Sequence, residues 1–390
     1  MELAPRMARL GTESAFEVLA RARALETTGR EVIHLQIGEP DFDTPEHIRQ
    51  AAKEALDRGE THYVPAPGIP ALREAVAAFL ERTGRLRTTP DRVIVTPGAK
   101  PVMFFTILAL CEEGDEVIHP DPGFPMYESI TAFAGARPVP LPLREDRGFR
   151  FDPDELRSLV TDRTKLLILS FPHNPCGSAL TPEDAEAVAE VAMRHDLVVL
   201  SDEVYWAIGY DRPHVSILQV DGMADRTVLL DGWSKTFAMT GWRLGFGVFP
   251  PALVEPVTRL VINAVSCTAA FSQHAAIAAL TGPWEPVERM VAEFRRRRDV
   301  IVDGLNRIPG ISCRRPDGAF YVFPSVRGLG VPSKRVEEHL LEEAGVACLS
   351  GTAFGGQGEG YLRLSYANSV ENIERALKAI EAALPELPRA

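Results

Sequence analysis

The sequence of 390 residues has little that would place the protein in a membrane or on a nucleic acid. No uninterrupted apolar run approaches the length of a membrane span, and the stretch 1–16 mixes charged with small apolar residues. Acidic residues outnumber basic ones, 54 to 42, and no basic stripe is interleaved with aromatic residues. These absences predict a cytoplasmic protein with neither a membrane nor a nucleic-acid partner.

Cysteine and histidine lack the spacing of a metal-ligand set. The five cysteines are odd in number, far apart and never in a C-x-x-C pair, which predicts neither disulfides nor a metal site. The nine histidines show no H-E-x-x-H spacing. The one basic run, 295–298, falls inside a helical pattern and is interpreted as a solvated helix face.

The composition, 45% apolar and 25% charged, is that of a globular protein long enough for about two or three domains. From residue 93 onward, short apolar runs alternate with helical patterns, which is typical of an α/β fold with a mostly parallel sheet flanked by helices. The predicted strands are 93–96, 117–119, 166–170, 197–201, 227–230 and 244–249. A helix from about Pro45 to Arg58 is expected to be capped by Thr44.

The patterns at the two ends of the chain differ from those in its middle. After about residue 285 a long helix, 284–307, is followed by mixed hairpin and helix signals, so 311–390 is interpreted as α+β. We therefore predict a large domain at 45–285 and a smaller α+β domain formed by 286–390. The N-terminal arm, 1–44, is expected to contribute to that smaller domain.

The stretch 230–246, LDGWSKTFAMTGWRLGF, brings a lysine to the end of a predicted strand. Burial of Lys235 beside Trp233 and Phe237 would lower its pKa, so that its amine could attack a carbonyl. Ser234 and Arg243 add a hydroxyl and a planar guanidinium that suit a phosphate. Together they predict a site for a phosphorylated aldehyde, although by residue type alone Lys235 could be a surface lysine.

Polar residues also follow three other predicted strands, whose carboxyl ends should meet at one edge of the sheet. They are Lys100 after the first strand, preceded by the backbone N–H groups of Gly98 and Ala99, Asn174 after 166–170, and Asp202 with Tyr205 after 197–201. The helix that opens at 98–100 can bind phosphate oxygens with its free N–H groups. A pyridoxal ring needs an acid at its nitrogen, donors at its phenolic oxygen, a lysine at its aldehyde and an anion site at its phosphate. This set supplies all four, although Asp202 could instead cap a helix, Asn174 form a turn and Tyr205 fill the core.

From Gly38-Glu39-Pro40-Asp41 to Arg363-Leu364-Ser365-Tyr366, the chain resembles the class I/II aminotransferases of the fold-type-I pyridoxal-phosphate superfamily. The most specific motif is SKTFAMTGWRLG at 234–245. The resemblance implies pyridoxal 5'-phosphate as cofactor and transfer of an amino group from an α-amino acid to a 2-oxo acid. It further implies that Lys235 forms the Schiff base and moves the proton. Asp202 would keep the ring nitrogen protonated, while Asn174 and Tyr205 bind the phenolic oxygen.

The resemblance assigns further residues. Phe124 would stack on the ring, or else fill the core. Tyr63 would reach the phosphate in the neighbouring subunit of a homodimer, or else anchor its own loop. Arg363, helped by the backbone of Gly38, would bind the substrate's α-carboxylate, with a buried ion pair as the alternative. Lys100 matches a lysine that contacts a distal carboxylate in some relatives, which gives a lean toward acidic substrates; equally, it could lie near the phosphate or in solvent.

The chain departs from the family's pattern at two places, the first of which leaves the substrate side chain open. The stretch 263–270 lacks the Ser, Asn and Pro pattern that lines the partner subunit's pocket, and Cys176 stands where threonine is usual. A β-lyase, cyclase or oxidase on the same scaffold is an alternative, because all share a carbanion intermediate. A regulatory module that binds the cofactor without turnover is an alternative of another class, although no helix-turn-helix pattern precedes residue 30.

Overall fold

Helices and strands alternate through the middle of the chain in the computed structural model, which describes residues 2–388. The helices are α1 (Ser14–Thr27), α2 (Glu46–Asp57), α3 (Pro70–Arg82), α4 (Lys100–Leu110), α5 (Met126–Ala134), α6 (Pro153–Leu159), α7 (Pro182–Arg194), α8 (Trp233–Thr236), α9 (Pro251–Val265), α10 (Ala270–Thr281), α11 (Glu285–Leu305), α12 (Ser333–Glu342) and α13 (Val370–Ala383). The strands are β1 (Ile33–His34), β2 (Val93–Thr96), β3 (Glu116–Asp121), β4 (Arg137–Pro142), β5 (Thr164–Ser170), β6 (Val198–Asp202), β7 (Thr227–Gly232), β8 (Gly245–Val248), β9 (Tyr321–Val322), β10 (Val346–Ala347), β11 (Leu349–Ser350) and β12 (Leu362–Ser365). Within 2–388, no helix is long and apolar enough to cross a membrane.

The large sheet has seven strands in the order β2-β8-β7-β6-β5-β3-β4. Strand β8 runs antiparallel to both β2 and β7, and the other neighbouring pairs are parallel. Because β8 is reversed between them, β2 points in the same direction as β7. All the strands that precede predicted site residues therefore end at one edge, and the predicted mostly parallel sheet is confirmed.

Strand β4 is missing from the prediction because its sequence resembles a loop. Pro138, Pro140 and Pro142 have no N–H to donate to a neighbouring strand. The strand lies at the edge of the sheet and pairs in parallel with β3, so its outer side needs no backbone donors. Pairing with β3 makes this segment a strand, and the local sequence gives no sign of that pairing.

The two ends of the chain meet in the second domain. Strand β1 pairs in parallel with β10, with Ile33 opposite Val346, and β11, β12 and β9 form an antiparallel sheet. The apolar core of this domain includes Leu35 from the N-terminal part with Leu305 and Ile380 from the C-terminal part. The smaller α+β domain built from both chain ends is thus confirmed. The limits 1–44, 45–285 and 286–390 stay a prediction, and residues 1, 389 and 390 lie outside the described residues.

The predicted cap of α2 is wrong. Thr44 donates from Oγ1 to the carbonyl oxygen of Ala238 at 2.6 Å and accepts from Nε1 of Trp242 at 3.0 Å. The helix begins after Pro45 without a side-chain cap. The Thr44 hydroxyl therefore connects this turn to the segment that follows Lys235, a long-range contact that residue type alone does not reveal.

The interpretation of 295–298 as a solvated face is wrong for its second half. Arg297 and Arg298 are buried, 6% and 3% exposed. Arg297 pairs from Nη1 with Oδ1 of Asp41 at 2.6 Å, and Arg298 pairs from Nη1 with Oδ2 of Asp211 at 2.5 Å. Buried guanidinium groups require such partners, and here they come from segments far away in the sequence.

Candidate active site

The carboxyl ends of the parallel strands open into a cavity of about 500 Å³. The predicted site residues that line it are Gly38, Ala99, Lys100, Phe124, Asn174, Asp202, Tyr205, Ser234, Lys235, Arg243 and Arg363. The residues that follow strands of the large sheet meet here because those strands end at the same edge, whereas Arg363 comes from β12. Gly98, just before Ala99, does not itself line the cavity. Tyr63 lies apart from it, and its side chain is 89% exposed.

Lys235 lies on α8, one turn of helix that directly follows β7. The buried Trp233 side chain anchors this turn in the core beneath the cavity. The Lys235 Nζ donates to the carbonyl oxygen of Gly38 at 2.5 Å and lies 5.8 Å from the ring centres of both Tyr205 and Phe320. Burial lowers the pKa of this amine to about 8, so about a tenth of it is neutral at pH 7.

Asp202, at the end of β6, accepts two hydrogen bonds. Tyr127 donates its hydroxyl to Oδ2 at 2.6 Å, and the backbone N–H of Val204 donates to Oδ1 at 3.3 Å. Burial nevertheless raises the pKa of Asp202 to about 6, against the effect of both hydrogen bonds. A cation bound against this carboxylate would favour its ionised form. Tyr127 is absent from the sequence prediction because it lies within an ordinary apolar helix, α5.

Tyr205 is buried, and its hydroxyl is 2.7 Å from that of Tyr321. The sequence gives no motif that would single out Tyr321, which reaches the cavity from the smaller domain on β9. A Cβ at Gly38 would overlap the Tyr321 hydroxyl, so this close approach requires glycine. The pair thus brings residues from both domains together beside Lys235.

Arg363, on β12, is buried and held in place by aromatic and polar contacts. Its guanidinium carbon lies 4.6 Å from the ring centre of Tyr321 and 4.9 Å from that of Phe354. Nη1 donates to Oδ1 of Asn174 at 3.2 Å, and Nη2 donates to the carbonyl oxygen of Gln36. Nε is buried without a hydrogen-bond partner, and within 2–388 no carboxylate pairs with this arginine. The alternative of a buried ion pair is therefore wrong, and the unpartnered donor suits an anionic ligand.

A second cluster of hydrogen-bond donors lies where α4 begins. Gly98 has a φ of +88°, and a Cβ there would overlap Nη2 of Arg243, so only glycine lets the guanidinium approach this backbone. Arg243 donates from Nη1 to the carbonyl oxygen of Thr240 at 2.7 Å. The free N–H groups at the start of α4, the guanidinium and the nearby Ser234 hydroxyl form a cradle of the kind that binds phosphate.

Lys100 lies at the rim of the cavity, where it forms an ion pair with Glu13. Its Nζ is 5.4 Å from the ring centre of Phe124, which itself packs edge-on against Tyr127 at 5.7 Å. Glu13 also lines the cavity, although the sequence offers no motif around it. The N-terminal segment thus contributes a carboxylate to the site.

The family profile described as aminotransferase class I and II matches residues 30–380. The chain belongs to this family. It is similar to the aspartate aminotransferase of Pyrococcus abyssi, at 44% identity over 361 residues that cover 92% of each chain. It is also similar to aromatic-amino-acid aminotransferase 2 of Thermococcus litoralis, at 43% identity over 91% of this chain and 92% of that protein. The solved structure of the Thermus thermophilus aspartate aminotransferase with maleate has a TM-score of 0.94 at 37% identity, covering 98% of this chain and all of that one.

This enzyme is accordingly a pyridoxal-phosphate-dependent aminotransferase, which moves an amino group from an α-amino acid to a 2-oxo acid. The cavity fits the cofactor on two observations. The cradle of Gly98 and Arg243 suits its phosphate, and Asp202 suits the cationic ring nitrogen because a cation against this buried carboxylate would favour its ionised form. The similarity to relatives that are named as aminotransferases favours transamination over the lyase, cyclase and oxidase alternatives and over a regulatory module.

Proposed function

We propose that this aminotransferase carries out its reaction with Lys235, Asp202 and Arg363, and that its substrates include acidic amino acids. The proposal rests on one observation: all three side chains line the same cavity, and each is in the state that its role requires. Lys235 has a pKa of about 8, Asp202 has a pKa of about 6 and Arg363 has a buried, unpartnered Nε. They correspond to a base, a partner for a cationic ring nitrogen, and a site for the substrate's α-carboxylate.

Six residues would hold the phosphate, the ring nitrogen and the ring face of the cofactor. They are Gly98, Ala99, Ser234 and Arg243 at the phosphate, Asp202 at the ring nitrogen and Phe124 against the ring face. When bound, the cofactor supplies an electron sink that stabilises negative charge at the substrate's α carbon. Asn174 and Tyr205 would bind the phenolic oxygen, and Tyr321 would orient the Tyr205 hydroxyl through the 2.7 Å contact.

Lys235 would act as the proton carrier of the reaction. A neutral amine at Nζ can accept the proton from the substrate's α carbon, and a pKa of about 8 suits both uptake and release near neutral pH. Arg363 would fix the substrate by a two-pronged bond from Nε and an Nη to the α-carboxylate, with Gly38 alongside. That bond sets the position of the α carbon relative to Nζ.

The lean toward acidic substrates rests on Lys100. An acidic substrate carries a second carboxylate and needs a cation besides Arg363. The stretch 261–273 contains no arginine to supply one, and Lys100 lines the cavity with its Nζ at the rim. Relatives named for aspartate support this assignment, whereas the relative named for aromatic amino acids indicates that apolar side chains also suit this scaffold.

We further infer that the working unit is a homodimer. The Tyr63 side chain is 89% exposed and lies outside the cavity of its own chain. A tyrosine in this position would be available to a neighbouring subunit, where its hydroxyl would complete the phosphate site.

The proposal is tested by borohydride reduction of the cofactor-loaded enzyme followed by peptide mapping. The label is expected on the peptide that contains Lys235, and Lys235→Ala should bind the cofactor without being labelled and should lose turnover. Lys53→Ala, a change on α2 outside the cavity, serves as the matched control and should behave as the wild type. Label on any other lysine would contradict the assignment. The donor range follows from mixing single amino acids with the enzyme and recording conversion of the cofactor spectrum.

A further inference from the structure

The ion pair between Glu13 and Lys100 lies at the rim of the substrate cavity. Both residues line the cavity. The Glu13 side chain is 19% exposed and that of Lys100 is 51% exposed, so the carboxylate is the more enclosed partner. The ammonium that would bind the distal carboxylate of an acidic substrate is thus already bound to a carboxylate of the same chain.

The surroundings of this pair are mostly apolar. Ala15 and Phe16 from the start of α1, and Met103 one turn after Lys100 on α4, line the same cavity. A substrate with an apolar side chain would meet these residues and an ion pair that is neutral as a whole. A substrate with an acidic side chain would bring a second carboxylate next to that of Glu13. Two neighbouring carboxylates repel each other, so one of them would have to move away.

The other cations of the cavity are not available to a distal carboxylate. Arg363 is assigned to the α-carboxylate and Arg243 to the phosphate, while Lys235 holds the cofactor. The negative charge of Glu13 also affects the pKa of Lys235. Burial lowers the pKa of Lys235 to about 8, and the charges of Glu39 and Glu13 oppose that shift.

Glu13 belongs to a segment with few buried residues. It directly precedes α1, and residues 10–13 have no regular secondary structure. Of the fourteen residues of α1, Val18 and Ala22 are buried. The segment is attached to the larger domain through the N–H of Gly11, which donates to Oγ of Ser129 at 2.8 Å. Few buried apolar contacts mean a low free energy of local opening.

We propose that Glu13 is a specificity-determining residue, which competes with the side-chain carboxylate of an acidic substrate for Lys100. The proposal rests on the assignment of Lys100 made under the proposed function. Apolar amino acids leave the pair intact, whereas aspartate and glutamate must displace Glu13 before they bind Lys100. Glu13 therefore reduces the preference for acidic substrates and allows one cavity to accept both classes.

The test compares the cofactor-loaded wild type with Glu13→Gln, Lys100→Met and the double variant. Glu17→Gln is the matched control, because Glu17 is an exposed carboxylate of the same segment that does not line the cavity. Two measurements are made on each protein. One is kcat/KM for glutamate and for leucine, and the other is the inhibition constant of maleate, a dicarboxylate, and of 4-methylvalerate, a monocarboxylate.

Glu13→Gln should raise kcat/KM for glutamate and tighten maleate binding, each about tenfold, because Lys100 loses its competitor. Leucine and 4-methylvalerate should change less than about twofold, because neither requires Lys100. In the double variant, the gain for glutamate and maleate should vanish. The inhibition constants report on binding without turnover, so an effect on the chemical step alone would not imitate this pattern.

Different failures can be told apart. Equal changes for glutamate and leucine in Glu13→Gln, or weaker maleate binding, would overturn the competition, since Glu13 would then position Lys100 or support the segment. If Lys100→Met lowers kcat/KM for glutamate alone while Glu13→Gln has no effect, the inference fails and the proposed function stands. If Lys100→Met leaves the ratio of glutamate to leucine unchanged, the assignment of Lys100 fails, and the inference fails with it.

Discussion

Asp202 shows how a functional side chain is kept in an environment that opposes its charge. Burial raises the pKa of its carboxyl to about 6, although the Tyr127 hydroxyl and the Val204 N–H both donate to it. A carboxylate in this position is stabilised when a cation lies against it, as the ring nitrogen of the cofactor would. Without that partner the ionised form costs free energy, which makes the stability of the cofactor-free protein depend on pH.

We expect Asp202→Asn to stabilise the cofactor-free protein more at pH 8 than at pH 5. The folded pKa of Asp202 lies above the unfolded value of 3.8, so the contribution of its protonated form to stability is complete below pH 3.8 and is lost as the pH rises through about 6. Asparagine does not titrate. Relative to the wild type, the variant should therefore gain about 1.4 kcal/mol between pH 5 and pH 8.

The measurement is the free energy of unfolding from urea titrations of both proteins at the two pH values. Tyr127→Phe provides a second comparison. The Tyr127 hydrogen bond lowers the pKa of Asp202, so that pKa should be higher in Tyr127→Phe. The loss of stability with rising pH should therefore continue to a higher pH in this variant than in the wild type. A difference between wild type and Asp202→Asn that stays constant from pH 5 to pH 8 would contradict the raised pKa.

Elements of the larger domain are joined behind the active site by one buried arginine. Arg85 lies just beyond α3 and is 3% exposed. It pairs from Nη1 with Oδ2 of Asp231 on β7 at 2.6 Å and from Nη2 with Oε2 of Glu203, directly after β6, at 2.8 Å. Its guanidinium carbon also lies 4.4 Å from the ring centre of Trp206. These contacts fix the ends of the two strands that carry Asp202 and the segment of Lys235.

Arg85→Met should destabilise the protein by about 3–5 kcal/mol, because two buried carboxylates lose their cation. Arg87→Met is the control: Arg87 is 89% exposed and pairs with Glu81 at 3.4 Å, and such surface pairs contribute little to stability. Urea titration of both variants gives the comparison. Equal, small losses in the two variants would mean that the buried network does not hold the strand ends.

The complete enzyme is expected to share its active sites between two subunits, and Tyr63 provides the test. Removal of its hydroxyl in Tyr63→Phe should weaken cofactor binding about tenfold or more, because a hydrogen bond to a charged group is lost. The test uses a hybrid dimer of one Lys235→Ala chain and one Tyr63→Phe chain, isolated through two different affinity tags. It distinguishes a Tyr63 that acts across the interface from one that serves its own chain. If Tyr63 acts across the interface, one site keeps both wild-type residues.

At limiting cofactor, the hybrid should then have about half the activity of the wild-type dimer, one intact site out of two. If Tyr63 instead serves its own chain, one site lacks the lysine and the other lacks the hydroxyl, so no intact site exists and activity should fall to that of Tyr63→Phe or below. A fully active monomer in size-exclusion chromatography would rule out the shared site as well.

Several properties of this protein are determined by its sequence alone, since they depend on local pattern. Apolar runs separated by helical patterns predict a parallel sheet, and parallel strands place their carboxyl ends together. Asn174, Asp202 and Lys235 could therefore be assigned to one site from their positions after strands. The lowered pKa predicted for Lys235 agrees with its burial in the structure, and the predicted fold follows from the alternation of helices and strands.

Only the tertiary structure decided which distant groups meet. Tyr127 and Tyr321 approach Asp202 and Tyr205 from elements whose own sequences carry no functional motif. Glu13 reaches Lys100 across 87 positions of the chain. The same reason explains why the proline-rich β4 becomes a strand and why half of a basic run is buried. Hydrogen bonds, ion pairs and burial depend on distances in space, and a sequence specifies those distances only through the fold as a whole.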